Sequence, residues 1–184
     1  TNAIRTLRKE YTVPFIGIEP AIKPAALNSK TNKIGILATK GTLNSELFAQ
    51  TSEQYRGELE IIEVEGKGLV PLIEQGNIEQ TRNLLSGYLA TMIDAGVDKI
   101  VLGCSHYPFL APVIRSLIPS TIDIIDSGEA VARQTKVILS DHGIEATETM
   151  IPYREFYTNG DLKVLNQFLE LIGMPMNKTE RSNF

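Results

Sequence analysis

The chain has 184 residues, of which 42% are hydrophobic and 22% charged, and its net charge is −4. That is enough for one large domain or two small ones, and the acidic balance with scattered Lys and Arg argues against a nucleic-acid binder. A single cysteine excludes an internal disulfide and any multi-cysteine zinc or iron–sulfur site, and no apolar run reaches the length of a membrane span. One thiol fits a reducing cytosol. Nothing at the start resembles a signal peptide, and Thr1 in place of a methionine points to a processed form or an excised fragment.

Residues 1–11 carry Ala3, Ile4 and Leu7 and read as a helix already under way. "VPFIGI" (13–18), "KIGILAT" (33–39) and "LEIIEVEG" (59–66) predict the first three strands. Over residues 77–95, Ile78, Leu85, Leu89 and Met92 recur near a 3.6-residue period, which predicts a helix closed by Gly96. "KIVLG" (99–103) predicts a fourth strand, residues 108–117 a helix and "TIDIID" (121–126) a fifth strand. A helix over 127–142 ending at His142 follows, then a sixth strand, "YREFYTNG" (153–160), and a helix over 162–172. The tail "MPMNKTERSNF" (174–184) has no period and predicts a frayed end. Short β-branched runs alternating with longer amphipathic segments give an α/β fold, a parallel sheet flanked by helices. The pattern fits one open sheet, or one whole lobe with pieces of a second.

In such sheets chemistry collects at the carboxyl ends of the strands. Those ends carry Thr39-Lys40-Gly41-Thr42 after the second strand, Cys104-Ser105-His106 after the fourth and Asp126-Ser127-Gly128 after the fifth. The third strand leads towards Val70-Pro71-Leu72-Ile73-Glu74. A thiol at a strand-to-helix turn with a neighbouring imidazole is expected to be acidified by the helix dipole and free N–H groups. A free cysteine is also a common small core residue. Cys104 is therefore a nucleophile, a proton-transfer group or an inert core residue on the residues alone. His106 is an acid/base or a hydrogen-bonded loop residue. A Cys-x-His metal site would need two further ligands, which the pattern does not supply. The Thr39–Thr42 segment suits carboxylate or phosphate binding, or simple N-capping by Thr42. Asp126-Ser127-Gly128-Glu129 reads as a helix cap, His142 as a C-terminal cap, and Glu74 as a solvated residue before the Asn77 N-cap. No dinucleotide, Walker A or serine-hydrolase motif is present.

"GCSHYPFL" (103–110) resembles the second-cysteine motif of the glutamate racemases, usually Gly-Cys-Thr-His-Tyr-Pro. "VPFIGIEPA" (13–21), "IGILATKGTLNS" (34–45), "LVPLIEQG" (69–76) and "IIDSGEAVAR" (124–133) are similar to other signatures of that family, in the same order. His106, where the related aspartate racemases usually carry Thr-Glu after the cysteine, points to glutamate. The resemblance implies a two-lobed racemase fold and a cytoplasmic, cofactor-independent enzyme that supplies D-glutamate for peptidoglycan. It also implies glutamate as the small-molecule partner. Two cysteines, one from each lobe, would exchange protons on opposite faces of the substrate, as inversion requires. Cys104 would deprotonate L-glutamate, with His106 assisting. Ser105, Thr39 and Thr42 would contact the carboxylates or amine, and Glu74 would be an auxiliary polar group.

The chain departs from this pattern in two ways. Ser105 replaces the usual Thr but keeps the hydroxyl. The family's first cysteine, in a Cys-Asn-Thr motif, and its Asp-Ser-Gly and Pro-Tyr-Gly segments have no counterpart here. The implied division is a first-lobe remnant (1–17), a second α/β lobe (18–126), a return to the first lobe (127–175) and a tail (176–184), with most of the first lobe missing. Such a chain is expected to be inactive alone, to expose apolar surface along 1–17 and 127–172, and hence to form a homodimer or rearrange. Outside the family, a Cys-His nucleophilic hydrolase or transferase and a non-catalytic α/β binding module are the alternatives.

Overall fold

The computed structural model describes residues 3–55, 57–146 and 151–183. The chain forms two compact units, Thr1–Gly143 and Ile144–Phe184. In the first, β1 (Lys33–Ala38), β2 (Glu60–Glu65), β3 (Lys99–Gly103) and β4 (Asp123–Ile125) form a parallel sheet in the order β2-β1-β3-β4. Ile34 of β1 stands opposite Ile61 on one side and Lys99 on the other. β1 and β3 are almost wholly buried, as expected of central parallel strands covered on both faces. The expected α/β architecture is therefore the observed one.

The helices of this unit are α1 (Ile4–Glu10), α2 (Ile22–Asn28), α3 (Lys40–Leu43), α4 (Glu46–Glu53), α5 (Leu69–Glu74), α6 (Ile78–Asp94), α7 (Ala111–Arg115) and α8 (Gly128–Asp141). Strand alternation splits the core in two. Ile34, Ile36, Ala38 and Val101 meet Ile22 and Ala25 of α2 and Phe48 of α4. Leu37, Ile100 and Leu102 meet Leu85, Leu89 and Met92 of α6 and Ile114 of α7 on the opposite face. Each of the Val, Leu, Ile, Phe and Met side chains among these contributes roughly 1.5–3 kcal/mol when fully buried. α6 matches its sequence signals: the Asn77 side chain accepts from the Gln80 N–H at 3.1 Å, and Gly96 takes φ +79 just beyond the helix.

The amino ends of the strands hold a charge cluster in which Asp98 and Lys99 are buried and Asp123 is exposed. Asp98 accepts from Ser29 Oγ and the Lys30 N–H, both at 2.6 Å, while Lys99 Nζ reaches Asp123 at 2.8 Å and Asp98 at 3.8 Å. Burial pushes the Asp98 carboxyl up, but these hydrogen bonds and the Lys99 ammonium outweigh it and hold the group below its usual value.

Several sequence expectations change. "VPFIGI" forms no strand: residues 14–20 run without a ladder, and Val13 and Ile18 are at least half exposed. An apolar β-branched run without a neighbouring strand has nothing to pair with. The helix expected over 108–117 is a 3₁₀ turn, Tyr107–Leu110, followed by α7, with a proline near the start of each. The sequence does not announce the short helices α2 and α5, while the helix start it suggests at Thr42 corresponds to α3 and α4. Of the expected opening helix, Thr1 and Asn2 lie outside the described residues, as do residues 147–150 of the expected return segment and Phe184 of the tail.

α1 and α8 bury no residue completely, and Tyr11, Val13 and Val137 are more than half exposed. In the second unit, β5 (Glu155–Thr158) and β6 (Lys178–Arg181) pair in parallel, with α9 (Leu162–Leu171) between them in the chain. The expected frayed tail is therefore partly a strand, whose polar "KTER" carries no apolar alternation to reveal it. Within this unit Ile151, Tyr153 and Leu171 are largely exposed.

Candidate functional site

The order β2-β1-β3-β4 reverses direction between β1 and β3, and the crevice outside their carboxyl ends is where open α/β sheets bind ligands. A cavity of about 540 Å³ lies there, lined by Thr39, Thr42, Cys104, Ser105 and His106 among others. Five of the six sequence-predicted site residues thus share one cavity. The sixth, Glu74, lies outside the lining, but its Oε1 stands 3.1 Å from His106 Nε2.

Cys104 leaves β3 directly after Gly103 and is half-buried. Its carbonyl accepts the Tyr107 N–H at 3.1 Å, which closes the turn. His106 Nδ1 lies 4.0 Å from Cys104 Sγ and 3.4 Å from Ser105 Oγ. With the Nε2–H donated to the Glu74 carboxylate, Nδ1 presents its lone pair towards the thiol. The result is a Cys104–His106–Glu74 chain running from the cavity to the end of α5.

Burial pushes the Cys104 thiol above its ordinary value, against the opposing pull of the His106 and Tyr107 N–H groups and the Ser105 hydroxyl. This reverses the acidified thiol expected from the sequence. The element that follows is only a four-residue 3₁₀ turn, whose small dipole does not offset the loss of solvent.

Thr39 caps α3: its Oγ1 accepts the Thr42 N–H at 3.3 Å and lies 3.1 Å from Thr42 Oγ1. The capping role expected of Thr42 therefore belongs to Thr39, while Ser45 caps α4 through the Phe48 N–H. At α8, Asp126 Oδ1 accepts the Gly128 N–H at 2.6 Å. Ser127 instead donates its hydroxyl to the Glu19 carbonyl, 108 residues away in sequence. His142 Nδ1 bonds the Ile138 carbonyl at 2.9 Å, as a helix-end residue should.

The cavity also takes in Glu19, Pro20, Val70, Asp126, Ser127 and Gly128, none of which was singled out as a site residue. Asp126 to Gly128 stood at a strand end and could have been chosen on position alone; their capping chemistry hid them. Among the described residues no group of three or more His, Cys, Asp and Glu could hold a metal ion, and no helix is long and apolar enough to cross a membrane.

The family model described as Asp/Glu/Hydantoin racemase matches residues 1–135. The chain is 41% identical over 168 residues to the glutamate racemase of Cupriavidus pinatubonensis, covering 90% of this chain and 62% of that protein. It is 39% identical over 173 residues to the glutamate racemase of Ectopseudomonas mendocina, covering 92% and 65%. It therefore spans less than two thirds of the length of these curated relatives. A crystal structure of Escherichia coli glutamate racemase, in complex with L-glutamate and the activator UDP-MurNAc-ala, superposes with a TM-score of 0.80 at 25% identity, covering 98% of this chain and 69% of that one. On this evidence the chain belongs to the Asp/Glu/hydantoin racemase family, among the glutamate racemases.

Proposed function

We propose that this chain supplies one face of a two-thiol proton exchange that interconverts L- and D-glutamate without a cofactor. The observation that carries this reading is the Cys104–His106–Glu74 chain opening into a cavity that also presents the hydroxyls of Thr39, Thr42 and Ser105. These hydroxyls bind and orient the carboxylates or amine of glutamate, and so hold its α-carbon beside Cys104 Sγ.

A thiol raised by burial stays protonated at neutral pH and serves directly as a proton donor. To act as a base it first passes its proton to His106 Nδ1, and the Glu74 carboxylate stabilises the imidazolium that forms. The thiolate then takes the α-proton of L-glutamate: the Cα–H bond breaks, the S–H bond forms, and the electron pair remains on the substrate. A second thiol on the opposite face returns a proton to give D-glutamate. Cys104 is the only cysteine among the 184 residues, so that thiol comes from outside this sequence, and the chain alone does not racemise. The reading carries with it a cytoplasmic homodimer that supplies D-glutamate for peptidoglycan, and the lobe division outlined from the sequence.

Two measurements test it. Glutamate should slow iodoacetamide labelling of Cys104 more than aspartate does, and equal protection by the two overturns the assignment of glutamate. Circular dichroism of L-glutamate incubated with the chain should stay constant. A decaying signal overturns the requirement for a second thiol.

A further inference from the structure

The 3₁₀ turn after Cys104 is anchored by a side chain that takes no part in proton transfer. Tyr107 is completely buried, a costly place for a hydroxyl unless it is hydrogen-bonded. Its Oη donates to the Gly66 carbonyl at 3.1 Å, across 41 residues of sequence. Gly66 directly follows β2, and its N–H donates to Ala38 O at 2.9 Å. A Cβ at this position would lie 2.2 Å from Tyr107 Oη and 2.9 Å from the Leu69 side chain, so the close approach needs glycine.

One residue further on, Tyr88 Oη of α6 donates to the Lys67 carbonyl at 2.8 Å. Two tyrosine hydroxyls therefore hold consecutive carbonyls of the segment that turns through Gly68, at φ +82, into α5. α5 ends at Glu74, the partner of His106. Unlike the less buried Tyr88, Tyr107 also donates its own N–H to the Cys104 carbonyl. It alone of the two touches both the thiol turn and the segment leading to Glu74.

We propose that Tyr107 is a positioning residue that holds α5, and with it the Glu74 carboxylate, in register with His106 and Cys104. This rests on the reading of those three residues as a proton relay. Tyr107→Phe keeps the ring and the backbone N–H and removes only the bond to Gly66. Without that bond Glu74 disengages from His106, the imidazolium loses its counter-charge, and the thiol becomes harder to ionise. Glu19 and Asp126, the other carboxylates lining the cavity, are common to every variant compared.

The test is the pH profile of Cys104 alkylation by iodoacetamide, with thermal unfolding followed in parallel. Glu74→Gln and Tyr107→Phe should each raise the midpoint by about 0.5 to 1 unit, the low end of a charge-pair effect for a partly exposed pair. At neutral pH that is about threefold to tenfold slower labelling. The double variant should shift no further than Glu74→Gln alone, and Tyr88→Phe should keep the parent profile. Gly66→Ala, which crowds the hydroxyl from the other side, should shift the midpoint in the same direction and serves where Tyr107→Phe fails to fold. A Tyr107→Phe protein that melts earlier but keeps the parent profile overturns the proposal, as does additivity in the double variant or an equal shift in Tyr88→Phe. If Glu74→Gln itself leaves the profile unmoved, the relay reading falls first.

Discussion

Glu74 Oε1 and His106 Nε2 lie 3.1 Å apart although 32 residues separate them and they come from different crossovers of the sheet. The bond fixes which imidazole nitrogen faces Cys104 Sγ, 4.0 Å away on the other side of the ring. The proposed relay thereby gains a direction, from the cavity towards α5.

Removing the imidazole should therefore slow the thiol without removing it. His106→Gln is expected to lower the rate of Cys104 alkylation at neutral pH by about threefold to tenfold and to move its midpoint upward. The folded content, followed by far-ultraviolet circular dichroism, should not change. A parent-like rate would mean that His106 does not assist Cys104.

The buried Asp98 makes stability depend on acid pH. Its folded value is depressed by Ser29, Lys30 and Lys99, so its contribution is fully present above the unfolded value of about 3.9 and fades as pH falls through the folded one. Asp98→Asn should destabilise the chain at neutral pH by about 1–3 kcal/mol, the range for a broken buried hydrogen-bond set. The difference from the parent should shrink below about pH 4 in urea titrations. A constant difference across pH 3 to 7 would refute the assignment.

Core position and helix membership can be separated by two leucines. Leu89 of α6 is 1% exposed and Leu27 of α2 is 70% exposed. Leu89→Ala should cost about 2–5 kcal/mol, whereas Leu27→Ala should stay within about 0.5 kcal/mol. Chemical denaturation decides it: equal effects would mean that the packing against the sheet is wrongly described.

The proposed homodimer has its own readout. α1 and α8 bury nothing completely, and Val137 of α8 is 51% exposed. Sedimentation equilibrium should show a mass near twice that of the chain, and Val137→Glu should move the distribution towards monomer. A monomer at all concentrations would remove the dimer from the proposal.

The sequence showed best what depends on burial on both faces. β1 and β3 are apolar runs because both faces are covered, and α6 shows its period because one stripe meets the sheet. "VPFIGI" has the same composition as those strands without a partner, and partnership is a property of the whole fold. β6 is the converse, a strand held by its register with β5 although its residues are polar. The site shows the same division. Cys104, Ser105, His106, Thr39 and Thr42 could be found from strand ends and motif, but the direction of the Cys104 shift could not. It depends on how much water the turn excludes, which three-dimensional packing alone decides.

The bond from Ser127 Oγ to the Glu19 carbonyl places the two ends of a 108-residue stretch side by side. The whole sheet lies within that stretch, so the chain enters and leaves it through one doorway. Adjoining ends are the geometry found in segments that tolerate insertion into another chain. Both sides of the doorway also line the cavity holding Cys104.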